Sequence, residues 1–595
     1  MSSIPSAEGP TNSNTKSSFS AKSKGGRFGH RPPISQQSAK ELESLAYPST
    51  VPRQLKYPRC SVADLLGRTA ERFPKQIATT FFGSELTFEE VNSAATRLAS
   101  WLQSQGIHTG ERVGILLPNC PEYLIGLNAV WRAGGIAVAV SPLSSPREVG
   151  ELLSLTQCRT VITLDMLGSL LCESSVQRRL IVSLRSYLPH WKKILYSIAL
   201  KRRTGFTQTQ VGTSSSQCED TPIWKAIEET KSNPIPVEIV AEKDAAYILS
   251  TGGTTGDPKA VTLSHQNIVA NAWQQMHWIS SSGIPVAMGQ ESMLSVLPFF
   301  HSYGMSTMLA TGMAIGAKLH MQPRFDVRKT IAAIERERPT IFHAVPAMLS
   351  AINQRLRRHP ADLSSIKWVI SGGASLPPDT AFEFASHSGA TVVEGYGLSE
   401  ASPVTHVGPL DGSNVTGTIG LPLPDTECRI VAMDDETQEA DMGEVGELLV
   451  RGPQVMLGYW NNHQATEQTI SNGWLRTGDL ARLTPQGFYE IVDRKKDLII
   501  TSGFNVYPAD VEQALRECPL IKDVAVVGVP DAKRGEIVKA FVVLNKGYRW
   551  NVKKLDQFCR SRLAKHRQPK MWEQVEGDLP RNFLGKVLRK QLRLC

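Results

Sequence analysis

"YILSTGGTTGDPKAVTLSHQNIVAN" (Tyr247–Asn271) joins an apolar run to glycines, small hydroxyl residues and a lysine. Glycine lets backbone N–H groups converge on an anion, because no Cβ blocks the approach. Gly252, Gly253 and Gly256 offer such groups, Ser250, Thr251, Thr254 and Thr255 add hydroxyl donors, and Lys259 adds a mobile charge. A Walker loop ends in Gly-Lys-Ser/Thr. Here Asp257 and Pro258 separate Gly256 from Lys259, and Ala260 follows the lysine. The stretch therefore reads as a phosphate cradle of another kind, set between the apolar run Ala245–Leu249 and a helix at "LSHQNIVANAW".

Outward from this loop the chain alternates strands and helices. "SVADLLGRTAERFP" has apolar residues at helical spacing, and "ERVGILLP" and "AGGIAVAVSP" read as short buried strands on either side of helical "YLIGLNAVWRAG". Helix-like "PREVGELLSLTQ" and strand-like "RTVITL" continue the rhythm, which implies a largely parallel sheet. At 595 residues the chain is too long for one core. The charge run "DRKKD" marks a change of character at Asp493–Asp497. Beyond it, "ADVEQALREC", "VAVVGVP", "KAFVVL" and "VKKLDQFCRSRL" predict a compact α+β unit. The expected division is an unordered basic tail over 1–45, a large α/β domain over 46–493 and a small domain over 494–595.

A hydrophobic fraction of 41% and a charged fraction of 20% are those of a water-soluble chain. The net charge of +9 allows an anionic partner, and nucleotides, CoA and anionic membranes all qualify. No nucleic-acid-binding motif accompanies the charge, so nucleic acid is not expected. Nine scattered cysteines without a C-x-x-C pair exclude a zinc or disulfide framework and suit a reducing compartment. The start lacks the apolar core of a secretory leader, and no apolar run is long enough to span a bilayer. A Ser-rich, basic start leaves an organelle address open, although no amphipathic helix is evident there.

One segment breaks the regularity. Between Glu173 and Glu219 no acidic residue occurs, while eight basic ones mix with Leu184, Tyr187, Trp191, Ile194, Leu195 and Tyr196. Two readings stand for this insert over 178–203. One is a helix at an anionic membrane interface; the other is an ordinary docked helix pair with a solvated basic face.

Seven further motifs follow the loop in order: "LPFFHSYG" (297–304), "SGGASLP" (371–377), "EGYGLSEASP" (394–403), "GELLVRGPQVMLGYW" (446–460), "GWLRTGDL" (473–480), "DRKKDLIITSGFNVYPADVE" (493–512) and "PRNFLGKVLRKQLR" (580–593). Taken together, over about residues 50–595, they resemble the adenylate-forming superfamily of acyl-CoA synthetases, luciferases and peptide-synthetase adenylation domains. The resemblance implies a large N-terminal domain of layered sheets and helices with a small, mobile α+β C-terminal domain. It also implies ATP, Mg²⁺ and coenzyme A as reaction partners. By the same resemblance, Ser250–Lys259 would hold the departing pyrophosphate. Tyr396 would stack on adenine, within Glu394, Gly395, Tyr396 and Gly397, opposite Gly372, Gly373 and Ala374. Glu400 would hold Mg²⁺, and Ser399, where threonine is more usual, would bond the α-phosphate. Asp479, aided by Arg494, would accept from the ribose hydroxyls, and Lys586 would reach the reacting carboxylate. Lys496 would be the hinge that brings Ser502, Gly503 and Phe504 towards the CoA path. His301 and Gly304 would shape the acyl pocket, with no proton transfer assigned to His301.

Within the superfamily the chain is most similar to bacterial-type long-chain fatty-acid–CoA ligases, through "VSPLSSPREVGELL", the basic insert and "VDRKKDLIITSGFNVYP". The expectation is an acid–thiol ligase for a medium- or long-chain fatty acid, placed in the cytoplasm with or without contact at the inner face of a membrane. Transfer to a carrier protein and activation of an aryl acid stay open as alternatives. No carrier domain follows Lys586, and monomer and dimer are both left open.

Overall fold

The computed structural model describes residues 36–188, 191, 193–196, 218–251, 259–433, 435–582 and 585–593. Parts of two expected features, the loop residues 252–258 and the insert residues 189, 190, 192 and 197–203, lie outside these. So do residues 1–35 of the expected tail, but Gln36–Ala46 forms a helix within it. Its end is anchored: Glu43 accepts from the Tyr489 hydroxyl at 2.7 Å, Arg53 lies 4.1 Å over the Tyr47 ring, and Ala46 and Tyr47 pack on the main core. The expected boundary at residue 45 thus cuts through an ordered helix, because Tyr47 and Glu43 have partners distant in sequence.

Two large sheets make the main body. One has eight strands, with Arg112–Leu116, Ile136–Ala139 and Thr160–Leu164 parallel at its centre. Their residues are almost all buried, as a parallel sheet covered on both faces requires. Helix Pro121–Arg132 is apolar nearly all round because it too is buried, down to Glu122 and Asn128. The other sheet has nine strands, in which Lys318–Met321, Ser292–Ser295, Ile341–Ala344, Trp368–Ser371 and Thr391–Gly397 run parallel. One hydrophobic core spans both sheets, from Val51 to Phe488.

The strand before the glycine-rich loop, Ala245–Thr251, pairs antiparallel with Lys259–Ser264, shifting register between Ala245 and Tyr247 and then running in register from Tyr247↔Leu263 to Thr251↔Lys259. The loop is therefore mounted on a hairpin. The helix His265–Trp278 begins only after the second strand. Ser264 caps it by accepting from Asn267 N–H at 3.0 Å, while Asn267 Oδ1 accepts from Ser264 N–H at 2.9 Å.

A third sheet contains Glu427–Val431, Gly446–Arg451, Trp474–Leu483 and Tyr489–Arg494. The chain leaves it at Arg494, turns through Lys495–Asp497 and enters a fourth sheet at Ile499–Thr501. That sheet, with helices Pro508–Arg516 and Val552–Arg560, has its own core around Val511, Leu515, Val524 and Leu555.

Asn119 ties the two large sheets where the second site motif begins. Its amide donates to the carbonyls of Leu297 (2.8 Å) and Ser295 (3.3 Å), and its Oδ1 accepts from Phe299 N–H at 2.9 Å. The Tyr247 hydroxyl also donates to Phe299 O at 3.3 Å. Removing the amide would orphan buried backbone groups, each costing about 1–3 kcal/mol. We expect Asn119→Ala to lower the unfolding midpoint of the large domain while leaving that of the C-terminal core in place, as read by hydrogen exchange of each.

Candidate active site

The site forms where strand ends and loops of three sheets meet. Asp479 lies in Trp474–Leu483 after Gly478, whose φ of +68° makes the turn. Its carboxylate is 2% exposed. It accepts from the Tyr396 hydroxyl at 2.6 Å and from Arg494 Nε at 2.6 Å, the latter its direct cross-strand partner. Burial, with Asp479 alongside, pushes the Tyr396 hydroxyl far up, so it stays a donor. The expected adenine and ribose residues thus form one hydrogen-bonded unit.

A second unit joins Lys259 to Glu400. Strand Gly458–Tyr459 pairs with Lys259–Ser264, and this places the Tyr459 ring 4.8 Å from Lys259 Nζ. The Tyr459 hydroxyl donates to Glu400 Oε1 at 2.9 Å, while Met456 N–H donates to Glu400 O at 2.8 Å. Tyr459 was not foreseen as a site residue. The aromatic after glycine in "LGYW" was its only sequence signal. Beside Glu400, the Ser399 hydroxyl is 3.2 Å from that of Ser302.

Of the other expected nucleotide residues, Ser250, Thr251 and Lys259 sit at the hairpin base, and Gly252, Gly253, Thr254, Thr255 and Gly256 lie outside the described residues. Gly372, Gly373, Gly395, Tyr396, Gly397 and Ser399 border a cavity, with His301. Ala374 does not border it. Glu394 does not either: its Oε2 accepts from Leu376 N–H at 3.0 Å and burial raises its pKa to about 8. It fixes the "SGGASLP" turn. Gly304 is also away from the cavity wall. A Cβ there would stand 2.2 Å from Pro298 O, so this glycine is needed for backbone approach.

The cavity is narrow, with about 90 Å³ open to the centres of water-sized molecules. Below the glycines its wall is largely apolar, with Trp278, Ile279, Met293, Ile341, Trp368 and Ile370. His301 lines it half-buried, and desolvation pulls its pKa down to about 4, so the ring is neutral at pH 7.

Lys586 reaches this region from the C-terminal unit. Gly585, at φ +82°, rides over Ala347 of helix Pro346–Leu356. Asn582 Oδ1 accepts from Lys586 N–H at 2.9 Å. Burial, with Arg494 nearby, lowers the Lys586 pKa to about 8, against the pull of Asp479. Lys496, the expected hinge, belongs to the same charge cluster. Ser502, Gly503 and Phe504 are elsewhere: Phe504 is 55% exposed and stacks on His566 at 4.7 Å.

Sequence reading also missed Arg589, which holds the Lys586 segment to the turn between the domains. Its guanidinium is 2.8 Å from Glu512, 3.6 Å from Asp497 and 3.8 Å from Asp493. Arg593 adds a 3.1 Å pair to Asp497.

Comparison with known proteins gives a consistent picture. A model of the AMP-binding enzyme family matches residues 66–460, and one of the AMP-binding enzyme C-terminal domain matches 510–586. The long-chain-fatty-acid–CoA ligase of Bacillus subtilis is 40% identical over 553 residues, covering 92% of this chain and 96% of that one. That of Escherichia coli O157:H7 is 32% identical over 557 residues, covering 92% and 97%. The crystal structure of ATP-bound MatB from Rhodopseudomonas palustris aligns with a TM-score of 0.75 at 26% identity, covering 89% of this chain and 98% of that one.

Two outcomes follow from the geometry. Arg589→Ala removes the cation shared by three mostly buried acids, leaving Asp497 only Arg593 and Glu512 only Arg516 as ion-pair partners, and should destabilise the C-terminal unit by about 3 kcal/mol, measured by urea unfolding followed at that unit. A lysine with a pKa near 8 is charged below that pH and neutral above it. The kcat/KM for acid-dependent ATP–pyrophosphate exchange should therefore fall as pH rises through about 8, and Lys586→Arg should move that limb upward.

Proposed function

The chain belongs to the AMP-binding enzyme family, and we propose that it is an ATP-dependent acyl-CoA synthetase for medium- or long-chain fatty acids. The observation that carries the reading is an apolar cavity opening at the glycines beside Tyr396, Asp479 and Lys586. A fatty carboxylate seated there would have its tail among Ile279, Met293 and Trp368 and its head near the nucleotide residues.

The reaction has two halves. A carboxylate oxygen attacks the α-phosphorus of ATP, the bond to the β-phosphate bridge breaks, and pyrophosphate leaves. No general base is needed, because the free carboxylate is ionised at neutral pH. The chain's task is positioning and charge compensation. Asp479, steadied by Arg494, accepts from the ribose hydroxyls, and Tyr396 lies against adenine. Lys259 faces the leaving phosphates, Ser399 the α-phosphate, and Lys586 the two anionic reactants at once. In the second half the CoA thiol, losing its proton to solvent, attacks the acyl carbon and AMP leaves.

Glu400 fits a hard cation: among the described residues only Tyr459 donates to its carboxylate, and at Oε1 alone. Mg²⁺ needs one or two carboxylates when phosphates supply further oxygens. When bound, it would neutralise phosphate charge.

Between the halves the C-terminal unit would turn about Lys496, withdraw Lys586 and bring Ser502–Phe504 inward. With Lys586 at the site and Phe504 on the outer face, the described arrangement suits the first half.

Of the expected insert over 178–203, Arg178–Val182 is instead a strand of the eight-stranded sheet, with Arg179 paired to Asp220 at 2.6 Å. Peripheral membrane contact through the part that follows it completes the reading. Trp191, Ile194 and Leu195, at helical spacing, are 62%, 64% and 57% exposed beside Lys193, and no acid occurs between Glu173 and Glu219. Tyr187 and Tyr196 donate to Glu122 and Asp165, fastening the segment to the body. No helix among the described residues is long and apolar enough to cross a membrane.

Product mass after incubation with ATP, CoA and a panel of carboxylic acids tests the assignment. Fatty acyl-CoA is expected; acyl-AMP without thioester would favour a carrier acceptor, and no fatty product at all would overturn it. For the membrane contact, replacing Trp191, Ile194 and Leu195 with serine should weaken sedimentation with anionic vesicles at least severalfold. Unchanged sedimentation would remove the segment from the account.

A further inference from the structure

The cavity wall is ordered in rows by strand register. Met293, Ile341 and Trp368 lie side by side across three parallel strands, and His343 pairs with Ile370 one row nearer the mouth. Side chains two apart share a face, so Ile341 and His343, like Trp368 and Ile370, line the same cavity. Each row is about 6.6 Å along the strand. Gly372 and Gly373 stand above the His343 row, and the indole of Trp368 stands below it.

Most polar groups in this wall are satisfied by the protein. Trp278 Nε1–H donates to Gly408 O at 3.1 Å, and the Tyr303 hydroxyl donates to Ile370 O at 2.9 Å. The Thr307 hydroxyl donates to Tyr303 O at 2.6 Å, and the Gln275 amide donates to Ser306 Oγ and Asn271. His343 and Thr311 differ. His343 is 7% exposed and Thr311 is 2% exposed. Neither His343 Nδ1 nor Thr311 Oγ1 has a hydrogen-bond partner among the described residues. The Tyr303 ring meets His343 edge-on at 5.9 Å, an apolar contact that offers it no acceptor. Burial pulls the His343 pKa down to about 4, so at neutral pH the ring can donate through one nitrogen and accept through the other.

A cavity shaped for a plain alkyl chain gains nothing from unbonded polar groups, each of which costs the desolvation of its donor or acceptor. We propose that this enzyme favours acids bearing a hydroxyl or keto oxygen partway along the chain, which His343 recognises, with Thr311 a second unpaired polar group in the same wall. The proposal rests on the synthetase reading above and specifies its substrate class. The oxygen would lie between the reacting carboxylate and the Trp368 row, in the part of the chain that crosses the His343–Ile370 level.

The test compares a straight-chain acid with its positional hydroxy and oxo analogues by pyrophosphate release in the presence of CoA. For the wild type, at least one positional isomer should exceed its parent by about tenfold in kcat/KM, mainly through KM, as one recovered hydrogen bond to a buried group allows. In His343→Leu the ratio of that isomer to its parent should fall to about one, and His343→Gln should restore part of it. Thr311→Val, nearly the same size, is an independent probe that should reduce the ratio without the risk of a cavity. Preference for the parent by the wild type, or a ratio unchanged in all three variants, would overturn the proposal. Turnover of plain fatty acids without discrimination would sink this inference alone, whereas absence of any acyl-CoA would sink the synthetase reading beneath it.

Discussion

The Asp479 carboxylate, buried between the Tyr396 hydroxyl and the Arg494 guanidinium, constrains most of what surrounds it. A buried carboxylate is tolerated only with such partners. Each partner comes from a different part of the chain. Tyr396 ends the strand whose register with Trp368–Ser371 lines up the cavity wall. Arg494 is the last residue of the third sheet before the chain turns into the C-terminal unit. One carboxylate therefore fixes the Tyr396 side of the site and the point where the chain departs for the C-terminal unit. Arg589 does the complementary work on the far side of the turn, gathering Asp493, Asp497 and Glu512.

Much of this was legible in the sequence, and the gaps have physical causes. Helices and strands with strong periodicity or full burial were readable, from Ala63–Arg72 to Val552–Arg560. Asp479, Glu400 and Lys586 were also singled out by short motifs, and the structure brings them into one region around Arg494. Tyr459 and Arg589 were not, because each acts through a partner brought close only by pairing or packing: Lys259 and Glu400 for the one, the turn acids for the other. Glu394 and Gly304 misled for the opposite reason. They sit inside site motifs, yet one serves a backbone turn and the other a close backbone approach. His343 gave no signal at all, since a histidine in an apolar strand reads like any core residue until the register places it beside the cavity.

The apolar wall and the polar rim also meet on a single sheet face. Period-two alternation puts Ile341, His343, Trp368 and Ile370 on that face and sends Phe342 and Val369 into the opposite core. Depth in the cavity is thus counted in residues along a strand, and a change at one row leaves the next in register.

The hairpin mount of the glycine-rich loop separates two tasks that a strand-loop-helix phosphate loop performs together. Lys259 is located by its ladder pairing with Thr251 and by its strand's pairing with Gly458–Tyr459. The seven residues from 252 to 258 therefore need not set where the lysine stands. Loop length and composition can vary while the lysine's anchorage stays in the sheet. Such a scaffold lends itself to diversification: the variable part and the charged part of the grip are inherited on different structural elements.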